Sequence, residues 1–152
     1  MKLLIWIIGF FALIQLIRPD FHNPKIDENA TLKTSPEVMS VLKGACYDCH
    51  SNETIYPWYK NMAPVSWVMA DHINSGRKAL NFSDWSNIDP VKKLERLKRA
   101  KHLVQINQMP DNQYQMMHKA ANLTQTQKTL LNSFFDEQIK LLEEAQKIAS
   151  IK

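Results

Sequence analysis

Four stretches of the chain space their apolar residues three and four positions apart, which is the period of an α-helix with one buried face. Each stretch follows residues that commonly start helices: Ser35-Pro36, Pro64, Asp89-Pro90, and Thr124 with Gln127. No stretch alternates polar and apolar residues over the length of a strand, and 3 glycines among 152 residues are too few for many hairpin turns. The sequence therefore predicts an all-α fold.

The predicted helices have separate bounds and are preceded by an irregular segment. They cover residues 36–46, 64–76, 90–106 and 124–145, and the last is the longest. Residues 19–34 are polar, contain two prolines and show no period, so we expect a linker or an extended arm there.

The first 18 residues are the most apolar part of the chain. Fifteen residues from Leu3 to Ile17 carry no charge, and Lys2 and Arg18 flank them. The end of this run lacks the pair of small residues that a signal peptidase needs, so we expect an uncleaved signal anchor or transmembrane helix. Apolar side chains surround the helix on all sides, which argues against a buried helix of the domain after it.

These features divide the chain into a membrane segment over residues 1–18, a linker over residues 19–34 and one domain over residues 35–152. A signal anchor exports the domain attached to it, so we expect a membrane-anchored domain outside the cytoplasm, in the periplasm. Lys2 and Arg18 account for two of the 19 basic residues, which leaves 17 basic and 15 acidic residues after position 18. This small excess excludes a strongly basic nucleic-acid binder, and no nucleic-acid partner is expected.

The two cysteines of the chain lie three positions apart and are followed at once by a histidine. The sequence is Cys46-Tyr47-Asp48-Cys49-His50. Two thiols at this spacing can each form a thioether to a vinyl group of one haem, and the adjacent imidazole then binds the iron. We therefore predict a covalently attached haem c, held by Cys46, Cys49 and His50.

Three other interpretations of this motif are weaker. A redox-active cysteine pair is typical of a βαβ context, which the helical pattern lacks. A zinc site would recruit Cys46, Cys49 and two of the histidines 50, 72, 102 and 118, without the short histidine spacing of zinc fingers. A disulfide between Cys46 and Cys49 suits an oxidising compartment but leaves His50 without a role.

A six-coordinate iron needs a second axial ligand, for which Met109 is the preferred residue. Met109 and Pro110 lie in a polar stretch between the third and fourth predicted helices, where a stiffened loop can present a thioether. His72 is the alternative, because it shares a helical face with Val65, Val68 and Met69. The ordinary role of His72 would be a hydrogen-bonded histidine at a helix boundary.

Aromatic residues cluster after the motif. Trp58, Tyr59 and Trp67 offer flat apolar surfaces for a haem, and Arg77 offers a planar fork for the haem propionates. The same aromatic residues would also build the core of a small domain. Both roles are compatible, because a bound cofactor is part of such a core.

From Cys46 to Trp85 the chain resembles the bacterial haem-binding domain family of small, exported c-type cytochromes. The matching residues in this stretch are Cys46, Cys49, His50, Tyr56-Pro57-Trp58-Tyr59, Pro64-Val65-Ser66-Trp67, His72, Gly76-Arg77 and Asn81-Phe82-Ser83-Asp84-Trp85. Further on, the family's pattern is also fitted by Met109-Pro110, Tyr114, His118, Ala121 and Leu123-Thr124. The resemblance spans roughly residues 35–140. It implies an all-helical, cytochrome-c-like domain with haem on Cys46 and Cys49, iron on His50, and Met109 as the distal ligand.

The predicted function is electron transfer rather than catalysis. One haem would exchange single electrons with redox partner proteins at the outer face of the membrane. The alternatives are a haem-based sensor or accessory module with a labile distal ligand, and a peroxidase-like enzyme with His72 as acid and base. A basic stretch would either steer an acidic partner or form a solvated helix face; its residues are Lys92, Lys93, Arg96, Lys98, Arg99 and Lys101.

Overall fold

The protein was analysed as a computed structural model that describes residues 1–150. Regular structure in this part of the chain is helical throughout, which confirms the all-α prediction. The α-helices are α1 (Lys2–Ile14), α2 (Pro36–Ala45), α3 (Tyr47–His50), α4 (Val65–Ala79), α5 (Pro90–Gln105), α6 (Asn112–Met117) and α7 (Gln125–Ala149). Short 3₁₀ helices cover Trp58–Asn61, Phe82–Asn87 and Lys119–Ala121. The last two residues of the predicted domain 35–152 lie outside the described residues.

The predicted starts of three helices are confirmed by their capping side chains. Ser35 and Asp89 each accept a hydrogen bond from an N–H group in the first turn of α2 and α5. Thr124 and Gln127 form a reciprocal capping box at the start of α7. These bonds satisfy N–H groups that have no partner inside the helix, so they fix where each helix begins.

The core lies where α2, α5 and α7 meet. Leu42, Leu97 and Leu131 come one from each of these helices, and all three are completely buried. Helices α5 and α7 form the most extensive helix pair. A 25-residue α7 therefore serves as the support on which α2 and α5 are placed.

Helix α4 extends beyond its predicted end. The sequence pattern ended this helix at Gly76, whereas the structure continues it to Ala79, with Gly76 buried in its last turns. A Cβ atom added to Gly76 would lie 2.4 Å from the carbonyl oxygen of Cys49. Gly76 is therefore a close-packing position that lets α4 lie directly against α3, and not a helix terminator.

Residues 19–34 contain no helix or strand, and their second half lies on the domain. The Leu32 N–H donates to the Phe82 carbonyl oxygen at 2.8 Å, and the Ser86 N–H donates to the Ala30 carbonyl oxygen at 2.9 Å. Ala30 and Leu32 are both buried. The segment is thus an extended arm whose end contributes to the core.

Helix α1 occupies most of residues 1–18, and none of its 13 residues is buried. Among residues 1–150, no helix has both the length and the apolar character that crossing a bilayer requires. Gln15 follows the helix and bonds to both backbone groups of Ala63, at 2.9 and 3.1 Å. The Trp67 indole N–H donates to the Ile17 carbonyl oxygen at 2.8 Å. The end of this segment is therefore attached to the domain near the start of α4.

Candidate functional site

The motif from Cys46 to His50 forms one helical turn directly after α2. The N–H groups of Cys49 and His50 donate to the Cys46 carbonyl oxygen at 3.2 and 2.9 Å. Positions three apart on a helix share a face, so this turn presents both thiols on the same side. Both cysteines are free, and both border one cavity.

Both thiols are kept in their protonated form. Burial raises the pKa of Cys46 to about 12, with a further contribution from Cys49. Burial also raises the pKa of Cys49 to about 11; the carboxylates of Asp48 and Asp111 raise it further, and Arg77 opposes them. The attacking thiol of a redox-active cysteine pair has a lowered pKa, so these environments do not fit that alternative.

The imidazole of His50 is oriented by a hydrogen bond to the end of α4. Its Nδ1 lies 2.9 Å from the Leu80 carbonyl oxygen, which can only accept, so Nδ1 carries the proton. Burial lowers the pKa of His50, which favours the neutral ring. In this tautomer Nε2 has a free lone pair and is available to bind a metal ion.

Polar residues after the motif hold its backbone in place. The hydroxyl of Thr54 donates to the Asp48 carbonyl oxygen at 2.7 Å, and the Ile55 N–H donates to Asp48 Oδ1 at 2.8 Å. The buried hydroxyl of Ser51 donates to the Tyr47 carbonyl oxygen at 2.7 Å. Sequence reasoning assigned these residues no role. Their signal was a polar run immediately after the cysteines that no helical period explains.

A cavity of about 770 Å³ lies against the motif. This volume falls within the roughly 300–1,000 Å³ of sites that hold small molecules and cofactors. Apolar side chains from α4 and α5 form much of its wall, among them Val68, Ile73, Leu103 and Val104. Two neutral thiols, an imidazole with a free nitrogen and a largely apolar cavity of this size together fit the attachment of a haem.

Several other side chains able to bind iron also border the cavity. They are Met69, His72, Met109, Met117 and His118. The two predicted distal ligands, Met109 and His72, are thus both brought to the same space as His50. Sequence reasoning found no distinguishing context for His118, which stacks on Tyr114 with ring centroids 4.1 Å apart.

Met109 is held between the end of α5 and the start of α6. The N–H groups of Gln108 and Met109 both donate to the Leu103 carbonyl oxygen, at 2.9 and 3.2 Å. Asp111 then caps α6 by accepting from the Gln113 N–H at 2.9 Å. Fixed ends on both sides restrict where the thioether can lie, as the sequence pattern suggested for this loop.

The predicted aromatic contacts separate into two groups. Tyr59 borders the cavity, but Trp58 and Trp67 are not part of its lining. Trp58 is 83% exposed, and Trp67 uses its indole N–H to hold Ile17 at the end of the N-terminal segment. The acceptor of the Trp67 indole, Ile17, is 50 positions away in sequence, so no local sequence pattern predicts this contact.

Arg77 also lies outside the cavity lining and fastens the arm to the motif. Its Nε donates to the Ser51 carbonyl oxygen at 2.8 Å, and its Nη2 donates to Thr54 Oγ1 at 2.9 Å and to Asn23 Oδ1 at 2.8 Å. The prediction that Arg77 binds the propionates is therefore not supported, because its donors already serve protein acceptors.

The basic residues of α5 fall into three environments. Lys93 is buried, with its ammonium 5.1 Å from the centre of the Trp85 ring, and burial lowers its pKa. Lys98 and Lys101 form ion pairs with Glu143 and Asp136 of α7. The other three border the cavity: Lys92, Arg96 and Arg99. The basic residues of this helix therefore do not share one environment, and docking of an acidic partner stays a prediction.

A family model described as a haem-binding domain matches residues 9–137. The chain belongs to this haem-binding domain family. The match includes the Cys46–His50 motif and all of α2 to α6, so family membership supports haem as the cofactor of the cavity. Among residues 1–150, no three His, Cys, Asp or Glu side chains are grouped as a protein-bound metal ion would need, which gives the zinc alternative no support. Comparison of the chain with curated proteins and with solved structures found no significant match.

Proposed function

We propose that this haem-binding domain is a c-type cytochrome that carries single electrons. Cys46 and Cys49 would hold one haem c through thioether bonds, and His50 and Met109 would be the axial ligands of its iron. The bound haem would supply the one-electron chemistry, by cycling between ferric and ferrous iron. No group of the chain is assigned a catalytic step in this proposal.

The orientation of His50 carries the proposal. A proximal histidine must direct one ring nitrogen at the iron, and the other nitrogen is normally fixed by a hydrogen bond to a backbone carbonyl or a carboxylate. The hydrogen bond from His50 Nδ1 to the Leu80 carbonyl oxygen has this form, and His50 directly follows Cys49 in the sequence. Neither a disulfide nor a redox-active thiol pair requires it.

A methionine on the distal side suits an electron carrier. A thioether ligand raises the reduction potential relative to a second histidine, and a filled sixth position excludes other molecules from the iron. The fixed ends of the Met109 loop support this assignment among the five side chains that border the cavity.

We also propose that residues 1–18 attach the protein to a membrane, with the haem domain in the periplasm. The exposed apolar surface of α1 supports membrane attachment, since such a helix gains free energy by leaving water. Covalent haem attachment in bacteria takes place outside the cytoplasm, which agrees with export by this segment. Redox partner proteins would then be met at the outer face of the membrane.

The ligand assignment is tested by optical spectra of the ferric and ferrous protein, with and without carbon monoxide. We expect wild type to be low-spin in both states and insensitive to carbon monoxide. Met109→Ala should become high-spin in part and bind carbon monoxide. Met116→Ala is the matched control, because Met116 is 83% exposed on α6 and is not part of the cavity lining.

Two results would overturn this assignment. A high-spin ferrous wild type that binds carbon monoxide readily would favour a sensor or a peroxidase-like enzyme over an electron carrier. An unchanged spectrum in Met109→Ala would reject Met109, and His72→Ala would then test the alternative ligand.

A further inference from the structure

One face of α5 borders the cavity with two chemically different halves. Positions 92, 96, 99, 100, 103 and 104 recur three and four apart, so they lie on one side of the helix. The first half of this stripe carries the cations Lys92, Arg96 and Arg99, and the second half is apolar: Ala100, Leu103 and Val104. A haem has the same division, with an apolar ring and a pair of anionic carboxylates at one edge.

The cations of this stripe are not used by the protein itself. Lys98 and Lys101, on another side of α5, are paired with carboxylates of α7. Within residues 1–150, neither Arg96 nor Arg99 takes part in an ion pair. Both arginines border the cavity, and no acceptor within residues 1–150 is bonded to their guanidinium groups.

The charge of this region matches two carboxylates. Glu95 borders the cavity together with the three cations, and three positive charges and one negative charge leave a net charge of +2. The cations belong to α5 and the thiols to the turn from Cys46 to His50, so the two sets border the cavity from different elements, as the carboxylates and the vinyl groups of a haem lie at different edges of its ring.

We propose that Arg96 and Arg99, assisted by Lys92, bind the two propionate carboxylates of the haem. This inference rests on the proposed function, because it requires a haem attached at Cys46 and Cys49. A guanidinium group can donate two parallel hydrogen bonds to one carboxylate, which a lysine cannot do. The role that the sequence suggested for Arg77 would thus belong to two arginines of α5.

The pH dependence of the reduction potential tests this inference on the haem-loaded protein. The variants are Arg96→Gln, Arg99→Gln, both together, and Lys98→Gln as a control that also removes one positive charge from α5. Ionised propionates stabilise ferric iron, so the potential falls as pH rises through the pKa of these carboxyls. The arginines keep this pKa low in wild type. In the double variant the pKa of the propionates should be higher by about 1 unit or more, so the fall in reduction potential should occur at higher pH.

The control separates this effect from other titrations in the site. His72 of α4, His118, Glu95 and Lys78 border the same cavity, and all four are present in every variant. Lys98→Gln should therefore keep the wild-type profile, while Arg96→Lys with Arg99→Lys should lie between wild type and the double glutamine variant. If the double variant does not fold, the two single glutamine variants are compared with Lys98→Gln in its place.

The outcomes distinguish the two proposals. Coincident profiles for the arginine variants and Lys98→Gln, in samples whose mass shows attached haem, would overturn the propionate assignment alone. A wild-type chain without haem would overturn the proposed function and this inference with it.

Discussion

At Gly76, the absence of a side chain decides how closely α4 can approach the motif. An added Cβ atom would lie 2.9 Å from the carbonyl carbon of Cys49 and 3.0 Å from its Cβ atom, and these are backbone and near-backbone atoms that cannot turn away. The same approach brings Leu80, at the end of α4, to the imidazole of His50. The position of the His50 imidazole therefore depends on a glycine in another helix.

Gly76→Ala should destabilise the protein by about 1 to 3 kcal/mol, because α4 must move away from the motif or distort. Urea denaturation of the two proteins measures this difference. Gly44→Ala is the control, since its added Cβ atom would meet Ala120 at 3.8 Å, an ordinary contact. An equal and small effect of both substitutions would show that the close approach at Gly76 does not constrain the fold.

Single residues were predictable where their chemistry is local in sequence. The spacing of Cys46, Cys49 and His50 pointed to one site, and all three border the cavity together with Met109. Trp67 and Arg77 could not be placed in this way, because their acceptors are distant in sequence: about 50 positions for Ile17 and Asn23, and more than 20 for Ser51 and Thr54. The chemistry of these side chains suits a haem, but the tertiary contacts show that their donors bind acceptors of the protein itself.

Between elements, one hydrogen bond joins the motif to the helix that comes after Met109. The Tyr114 hydroxyl of α6 donates to Asp48 Oδ2 of α3 at 2.7 Å. Burial raises the pKa of Tyr114, and the bond to Asp48 raises it further, so the phenol keeps its proton and remains a donor. This bond links the turn that holds the thiols to the helix that follows the Met109 loop.

Tyr114→Phe should weaken this link without removing an apolar contact. We expect a loss of about 1 kcal/mol or more, as for other hydrogen bonds to charged groups, and faster hydrogen exchange of the α6 amides. Tyr56→Phe is the control, because its hydroxyl donates to the His22 carbonyl oxygen at 2.9 Å, away from α6. Unchanged exchange in α6 would mean that Asp48 does not hold this helix.

The elements themselves were largely predictable, and the reason is again local. Capping residues and the three-to-four spacing located α2, α5 and α7, because a helix start is set by side chains within one turn. Helix α6 has 6 residues and no buried one, so it has no apolar stripe from which to predict it. The end of α4 was predicted wrongly because glycine often ends a helix, whereas Gly76 lies inside α4 and packs against Cys49.

At the scale of the whole molecule, the domain encloses a space that its own side chains do not fill. A cavity of about 770 Å³ lies among α3, α4, α5 and α6, while the completely buried leucines lie where α2, α5 and α7 meet. A ring held at Cys46 and Cys49 would complete the first region as part of the core. Length and net charge describe a small domain with little excess charge, and the haem proposed at the motif would account for the volume that such a domain leaves open.

Mass spectrometry of the denatured protein tests the covalent haem most directly. The protein is produced in cells able to mature c-type cytochromes, beside a Cys46→Ala, Cys49→Ala variant. We expect the wild-type chain to retain the added mass of one haem after denaturation, and the double variant to have the mass of the polypeptide alone. A denatured wild-type chain without added mass, from cells that mature a known c-type cytochrome in parallel, would refute haem attachment at this motif.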